Sequence, residues 1–238
     1  MNTNVATAQA RVSAADRREQ ILEAAAGLFA QQGLHGTTTK QISERTGVTE
    51  ALIFRHFASK EELYWAVIER KIRSAQPAER LRERLRTKGS DLEVFSAVAA
   101  DILERRAKDQ TLSRLLLYSA LENHELSHRF FGTYIAECYG VLTEYARKAV
   151  AAGRFRPVDP LLAARAFLGM VVYHSWVQEL FGGKRYQRFS VQQVSRTLAE
   201  MWLQGVSNEK PGLDERIKGN NGNHSERHKK DGNGNHHR

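Results

Sequence analysis

Residues 36–69 read GTTTKQISERTGVTEALIFRHFASKEELYWAVIE. The apolar spacing in this stretch predicts a helix over 39–46, a corner at Gly47 and a second short helix over 49–56. A helix this short has only marginal stability in water by itself, because its few hydrogen bonds barely offset the unfavourable free energy of nucleation. Packing through Ile53 must therefore hold it against neighbouring elements.

The two short segments together have the pattern of a helix-turn-helix. Ile42, Val48 and Ile53 fall on inward positions that pack the pair against a preceding helix, whose apolar stripe ends before Gly33. A short second helix suffices in this arrangement, because it only has to enter a major groove and reach a few base pairs. The pattern favours DNA binding over a purely structural helical corner.

The stretch also resembles the DNA-binding segment of the tetracycline-repressor (TetR) family of bacterial transcription regulators. The residues that carry the resemblance are Thr37-Thr38, Ile42-Ser43, Gly47-Val48-Thr49, Phe54, His56-Phe57 and Lys60-Glu61 before Leu63. The resemblance implies an all-helical homodimer that binds an operator and releases it when a small molecule binds. Phe54 stands where the family usually has tyrosine, and Ser43 replaces the common alanine. Glu50 stands where basic or small residues are frequent.

Eleven residues of this segment are candidates for DNA contact. Lys40 is expected to reach a phosphate, and Arg55 either pairs with a guanine edge or contacts a phosphate. Glu50 either accepts from a cytosine amino group or complements the helix dipole. The full set is Thr37, Thr38, Lys40, Thr49, Glu50, Ala51, Leu52, Phe54, Arg55, His56 and Lys60.

The composition agrees with an intracellular helical protein. The 238 residues carry 36 Lys and Arg against 27 Asp and Glu, and the net charge of +9 hints at an anionic partner. Cys138 is the single cysteine, which excludes an internal disulfide framework and a cysteine-based zinc finger. The N-terminal stretch lacks the apolar region of a secretory signal, so a cytoplasmic location is expected.

Capping signals divide the chain into helices and suggest its domains. We predict an all-α protein with a three-helix helix-turn-helix domain over 13–71, its motif at about 38–57, and a larger helical domain over 72–206. Residues 1–12 and 207–238 are polar and predicted to be disordered. The helix starts are predicted at Ser13, Thr38, Ser59, Ser90, Asp159 and Ser190. Beyond the motif, helices are expected over 60–75, 78–87, 91–107, 110–122, 126–152, 160–181 and 190–205.

The larger domain is predicted to form a homodimer and to bind an effector. The segment 160–181 is apolar nearly all round, so one of its faces is expected to meet a partner's copy together with 190–205. Its charged residues argue against a membrane span. Pairs of polar, sulfur-containing or aromatic residues at i, i+4 are the effector candidates, although such stripes are also common in cores. They are Tyr118 and Glu122, Tyr134 and Cys138, and Met170 and His174.

Two alternatives accompany this interpretation. One is a DNA-binding protein without an effector. The other is a zinc hydrolase using His124, Glu125 and His128 of the segment HELSH, which has the HExxH form. No third ligand follows at a familiar spacing, and the segment lies at an expected helix break. We therefore expect no cofactor, no catalytic residue and no metal site.

Overall fold

The computed structural model describes residues 13–122 and 124–208, in which all regular secondary structure is helical. The predicted all-α fold is confirmed. The expected leader, 1–12, and residues 209–238 of the expected tail lie outside the described residues. The helices are α1 (Ala14–Gly36), α2 (Thr39–Thr46), α3 (Glu50–His56), α4 (Lys60–Ala75), α5 (Pro77–Leu85), α6 (Asp91–Lys108), α7 (Thr111–Glu122), α8 (His124–Phe130), α9 (Ala136–Ala151), α10 (Pro160–Glu179) and α11 (Val191–Val206).

The predicted helix starts are confirmed by their capping hydrogen bonds. In each case the cap side chain accepts from the backbone N–H three residues later, with distances of 2.8–3.3 Å. Each such bond satisfies an N–H group that the helix itself leaves unpaired. The capping residues are Ser13, Thr38, Ser59, Ser90, Asp159 and Ser190.

The predicted single helix over 126–152 is wrong. The structure has α8, then a π-helical turn at Phe131–Ile135, then α9. The turn lies where the chain passes from one hydrophobic core to another: Phe130 belongs to the first core and Leu142 to the second. Periodicity does not reveal such a turn, because a π turn keeps the helical direction and shifts the side-chain stripe.

Two hydrophobic cores organise the molecule. The first joins α1–α4 and also contains Leu115 of α7 and residues of α8. The second joins α5, α6, α9, α10 and α11 around Phe95, whose ring lies 4.4–5.3 Å from the rings of Tyr145, Phe167 and Trp202. Helices α7 and α8 therefore attach the larger helical region to the helices that carry the helix-turn-helix. None of the helices in the described ranges is both long and apolar enough to cross a bilayer.

Candidate nucleic-acid interface and ligand cavity

The corner between α2 and α3 has the predicted geometry. Gly47 adopts φ 68° and ψ 21°, and its N–H donates to Ser43 O at 2.9 Å. This left-handed conformation favours glycine. The Ser43 hydroxyl donates to Val48 O at 2.6 Å, a bond that adds to the corner. Ile42, Val48 and Ile53 are buried, so the face of α3 opposite Ile53 points away from the core.

That outward face carries most of the candidates for DNA contact. The exposed candidates are Thr38 and Lys40 at the start of α2 and Thr49, Glu50, Ala51, Phe54 and Arg55 along α3, whereas Leu52, His56 and Lys60 are half-buried. The Thr49 hydroxyl caps α3 by accepting from Leu52 N at 3.2 Å. The arrangement leaves a short, exposed helix surface, and the exposed Arg55 near its end forms no ion pair with any residue of 13–122 or 124–208.

Three candidates have internal partners that sequence reasoning missed. Thr37 is fully buried and its hydroxyl donates to Gly33 O at 2.8 Å, so the predicted DNA contact by this side chain is corrected to a structural bond. Lys60 Nζ donates to Thr37 O at 3.1 Å. The Glu50 carboxylate accepts from the Thr39 hydroxyl, which ties α3 to the first turn of α2.

A row of side chains on α7 fastens the end of α1. Arg114 Nε donates to Ala30 O, and the Tyr118 hydroxyl donates to Gln31 O at 3.0 Å. One turn later, Glu122 accepts from Leu34 N at 2.7 Å and from His35 N at 3.1 Å. Helix α1 is interrupted at Gly33, whose φ of 76° and ψ of −177° are not helical. The row therefore supplies donors to carbonyls that lie just before this interruption, and an acceptor to N–H groups that lie just after it.

The six effector candidates do not converge on one site. Tyr118 and Glu122 bind the end of α1, as just described. Tyr134 packs against Trp65, with ring centroids 6.0 Å apart. Cys138 and Met170 pack against the second core. Of the six, His174 lines a cavity between α6, α10 and α11.

The cavity has a volume of about 370 Å³ and lies between α6, α10 and the start of α11. This size is within the range of small-molecule sites. Burial lowers the pKa of His174 from its ordinary value, so its imidazole is neutral at pH 7. Sequence periodicity did not identify most of the residues that line the cavity, because they lie at helix ends and in the connection after α10. The wall consists of Leu103, Ala107, His174, Ser175, Gln178, Glu179, Lys184, Arg188, Phe189, Val191 and Val194.

The burial of Cys138 predicts that its thiol is alkylated slowly. Burial raises the pKa of its thiol to about 11, with nearby carboxylates adding to the effect. Since the thiolate is the reactive form, iodoacetamide should alkylate the native protein about 100-fold more slowly than an ordinary exposed cysteine. Mass spectrometry of timed samples at pH 7.5 measures the rate, and the protein in guanidinium chloride is the control. Equal alkylation rates in the native and the denatured protein would contradict the burial of this thiol.

The HELSH segment forms most of α8, with Glu125 and His128 exposed. Within residues 13–122 and 124–208, no group of three His, Cys, Asp or Glu residues is placed to hold a metal ion. The segment contributes Leu126 to the first core.

Two family models match the chain in order. A model described as bacterial regulatory proteins of the tetR family matches residues 21–67. A second, described as the C-terminal domain of an AefR-like transcriptional repressor, matches residues 92–204. The first match covers the helix-turn-helix, and the second covers most of the remaining helices.

Individual proteins show the same likeness. The nucleoid occlusion factor SlmA of Vibrio atlanticus is 31% identical, covering 66% of this chain and 80% of that protein. The fatty acid metabolism regulator of Bacillus subtilis is 24% identical, covering 79% of this chain and 95% of that protein. Two other relatives match over only 57 and 47 residues, which are 26% and 24% of their own length.

A solved structure extends the comparison to three dimensions. AibR, crystallised with isovaleryl coenzyme A and operator DNA, superposes with a TM-score of 0.57 at 24% identity, covering 78% of this chain and 97% of that one. At this identity the likeness establishes the fold alone. The helical fold described above is therefore one that AibR shares.

Proposed function

The chain belongs to the TetR family of bacterial transcription regulators, and from this premise we propose that it is a ligand-responsive repressor. It binds a palindromic operator as a homodimer in the cytoplasm and releases it when a small-molecule effector binds. The observation that carries the proposal is the exposed face of α3, presented on a helix-turn-helix whose inward residues lie in the first core. The DNA-binding domain spans 13–71, and the effector and dimerisation domain spans 72–206.

DNA recognition divides into positioning and reading contacts. Thr38, Lys40, His56 and Lys60 lie at helix ends and meet phosphates, since N–H groups at helix starts and nearby cations attract them. The side chains on the face of α3 meet base edges. Phe54 is 48% exposed and lacks the hydroxyl of the family's usual tyrosine, so it contacts a thymine methyl or the backbone through its ring alone.

Arg55 provides the first functional prediction. Replacing it by alanine should weaken operator binding by about 1–3 kcal/mol and relax the preference at one base pair, because a bidentate guanine contact is lost. The control is Arg147→Ala, an exposed arginine of α9 that pairs with Glu144 of the same helix, and this variant should bind the operator normally. Titration of fluorescent duplexes at a fixed salt concentration measures both. An equal loss on all sequences would identify Arg55 as a phosphate contact instead.

Dimerisation follows from the symmetry of a two-part operator, which requires two copies of α3 about one helical turn apart. The outer face of α10 supports it: Leu162 and Tyr173 are 63% and 62% exposed. On α11, Met201 is 59% exposed. Apolar side chains exposed along two neighbouring helices are typical of an interface between copies.

Ligand-driven release is a population shift between two arrangements of the dimer. A ligand that prefers the released arrangement 100-fold supplies about 2.7 kcal/mol. The cavity between α6 and α10 supports an effector-binding function, and relatives that bind acyl-coenzyme A or regulate fatty acid metabolism suggest an acyl compound. The alternative, DNA binding without an effector, predicts that no such compound changes operator affinity.

The test is selection of bound duplexes from a random pool, followed by titration of the selected sequence. We expect a palindromic product that binds one dimer. We also expect weaker binding when an acyl compound is present. A protein that selects no sequence, even in dilute buffer, would overturn the DNA-binding proposal. A selected operator whose affinity no acyl compound changes would overturn the effector part alone.

A further inference from the structure

The cavity between α6, α10 and α11 has walls of two chemical kinds. Leu103 and Ala107 of α6, with Val191 and Val194 at the start of α11, make an apolar wall. The connection between α10 and α11 contributes two cationic side chains, Lys184 and Arg188. A cavity that combines these walls suits a molecule with an apolar body and one charged group.

The charges around the cavity are not balanced. Lys184 forms an ion pair with Glu179, whose side chain is only 10% exposed. Arg188 has one hydrogen bond, from its Nε to Lys184 O at 3.4 Å, and no carboxylate partner among the described residues. Since His174 is neutral, the lining carries two cations and one anion. Guanidinium groups bind carboxylates and phosphates in a two-pronged geometry, so Arg188 is available for such a partner.

We infer that this cavity binds an amphipathic organic anion whose charged group is held by Arg188 and Lys184 and whose apolar part packs against the α6 and α11 wall. The inference rests on the proposed function and names the chemical class of its effector. A carboxylate of a free acid and a phosphate of an acyl thioester both provide the required charge.

The same cavity is connected to the helix-turn-helix through hydrogen bonds. Glu179 accepts from Gln110 Nε2 at 3.0 Å, and Gln110 O accepts from Arg114 N at the start of α7. Helix α7 in turn holds the end of α1 through Arg114, Tyr118 and Glu122. A bound anion competes with Glu179 for Lys184. Glu179, which anchors the start of α7 through Gln110, then loses its ion pair with Lys184.

The experiment measures ligand binding by calorimetry without DNA. Decanoate and 1-decanol form a pair that differs in charge, and isovaleryl coenzyme A represents the thioester source. Decanoate or the thioester should bind the wild-type protein, and Arg188→Gln should weaken that binding about tenfold or more, the typical loss for a hydrogen bond to a charged group. Lys184→Gln should weaken it as well. Decanol should bind at least about tenfold more weakly than decanoate, because it offers no charge to the two cations.

Arg185→Gln is the matched control, because Arg185 is an exposed cation in the same connection but does not line the cavity. It should bind the ligand like the wild type, and thermal unfolding of each free variant shows that the fold is retained. Binding of decanol as tight as that of decanoate, an equal loss in Arg185→Gln, or no binding of either anion would overturn the inference. Because no DNA is present, failure here is separate from failure to select an operator.

Discussion

Replacing Gly33 by alanine is expected to lower the free energy of unfolding by about 3 kcal/mol or more, for two separate reasons. Gly33 adopts φ 76° and ψ −177°, a region that only glycine occupies without strain. In addition, a Cβ at this position would lie 2.7 Å from Glu122 Cδ, and its carboxylate oxygens are at least as close. Moving Glu122 away would leave the N–H of buried Leu34 without its acceptor.

Gly47→Ala is the matched control for this prediction. Gly47 also has a positive φ, of 68°, but a Cβ there meets nothing within 4 Å. Its substitution therefore reports backbone strain alone, and we expect a cost of about 1–2 kcal/mol. Urea denaturation of both variants gives the difference. If Gly33→Ala costs no more than Gly47→Ala, the contact with Glu122 contributes nothing.

A double variant separates the two contributions at Gly33. Glu122→Ala removes the carboxylate that the new methyl group would strike, so the cost of Gly33→Ala should be smaller in that background. The expected coupling is on the order of 1 kcal/mol, as for other residues in direct contact. Additive effects would show that the chain at Gly33 moves away from α7 freely, and the α7 row would then not fix the end of α1.

The sequence predicted the helix caps, the corner and the inward positions of the site, because each depends only on residues nearby in the chain. Thr38 and Ser59 cap helices because their hydroxyls reach an N–H only three residues away. Gly47 turns the corner because of its own backbone freedom. The inward positions of Ile42 and Ile53 follow from helical spacing. All these effects operate within one or two turns of a helix, so one sequence suffices to predict them.

The part that sequence could not predict depends on distant residues. The spacing of Glu122 with Tyr118 predicts an effector contact. The structure instead pairs it with the N–H groups of Leu34 and His35, which lie 88 and 87 residues earlier. The cavity is assembled from α6, α10 and the connection after it, and no periodicity marks those residues. Only the packing of α7 on α1 identifies these partners of Glu122.

The largest functional effect is expected from Gly169→Arg on α10. Gly169 is exposed, and it lies on the same helical face as Leu162 and Tyr173, seven residues after one and four before the other. A Cβ at Gly169 meets nothing within 4 Å in one copy of the chain, so an arginine there fits the isolated fold. Packed helices approach to about 8–10 Å between axes, which leaves no room for an arginine where a partner's α10 crosses this glycine.

The variant should therefore remain folded but become monomeric, and its operator affinity should fall by at least about 100-fold, because the second half-site no longer binds as part of one molecule. Light scattering measures the mass, and duplex titration measures the affinity. The matched control is Gly140→Arg on α9, where a Cβ also meets nothing within 4 Å. Both substitutions remove a helical glycine and add one charge, so only their position differs. A dimeric Gly169→Arg protein with normal affinity would exclude this face of α10 from the interface, because an arginine at its centre leaves no close helix crossing intact.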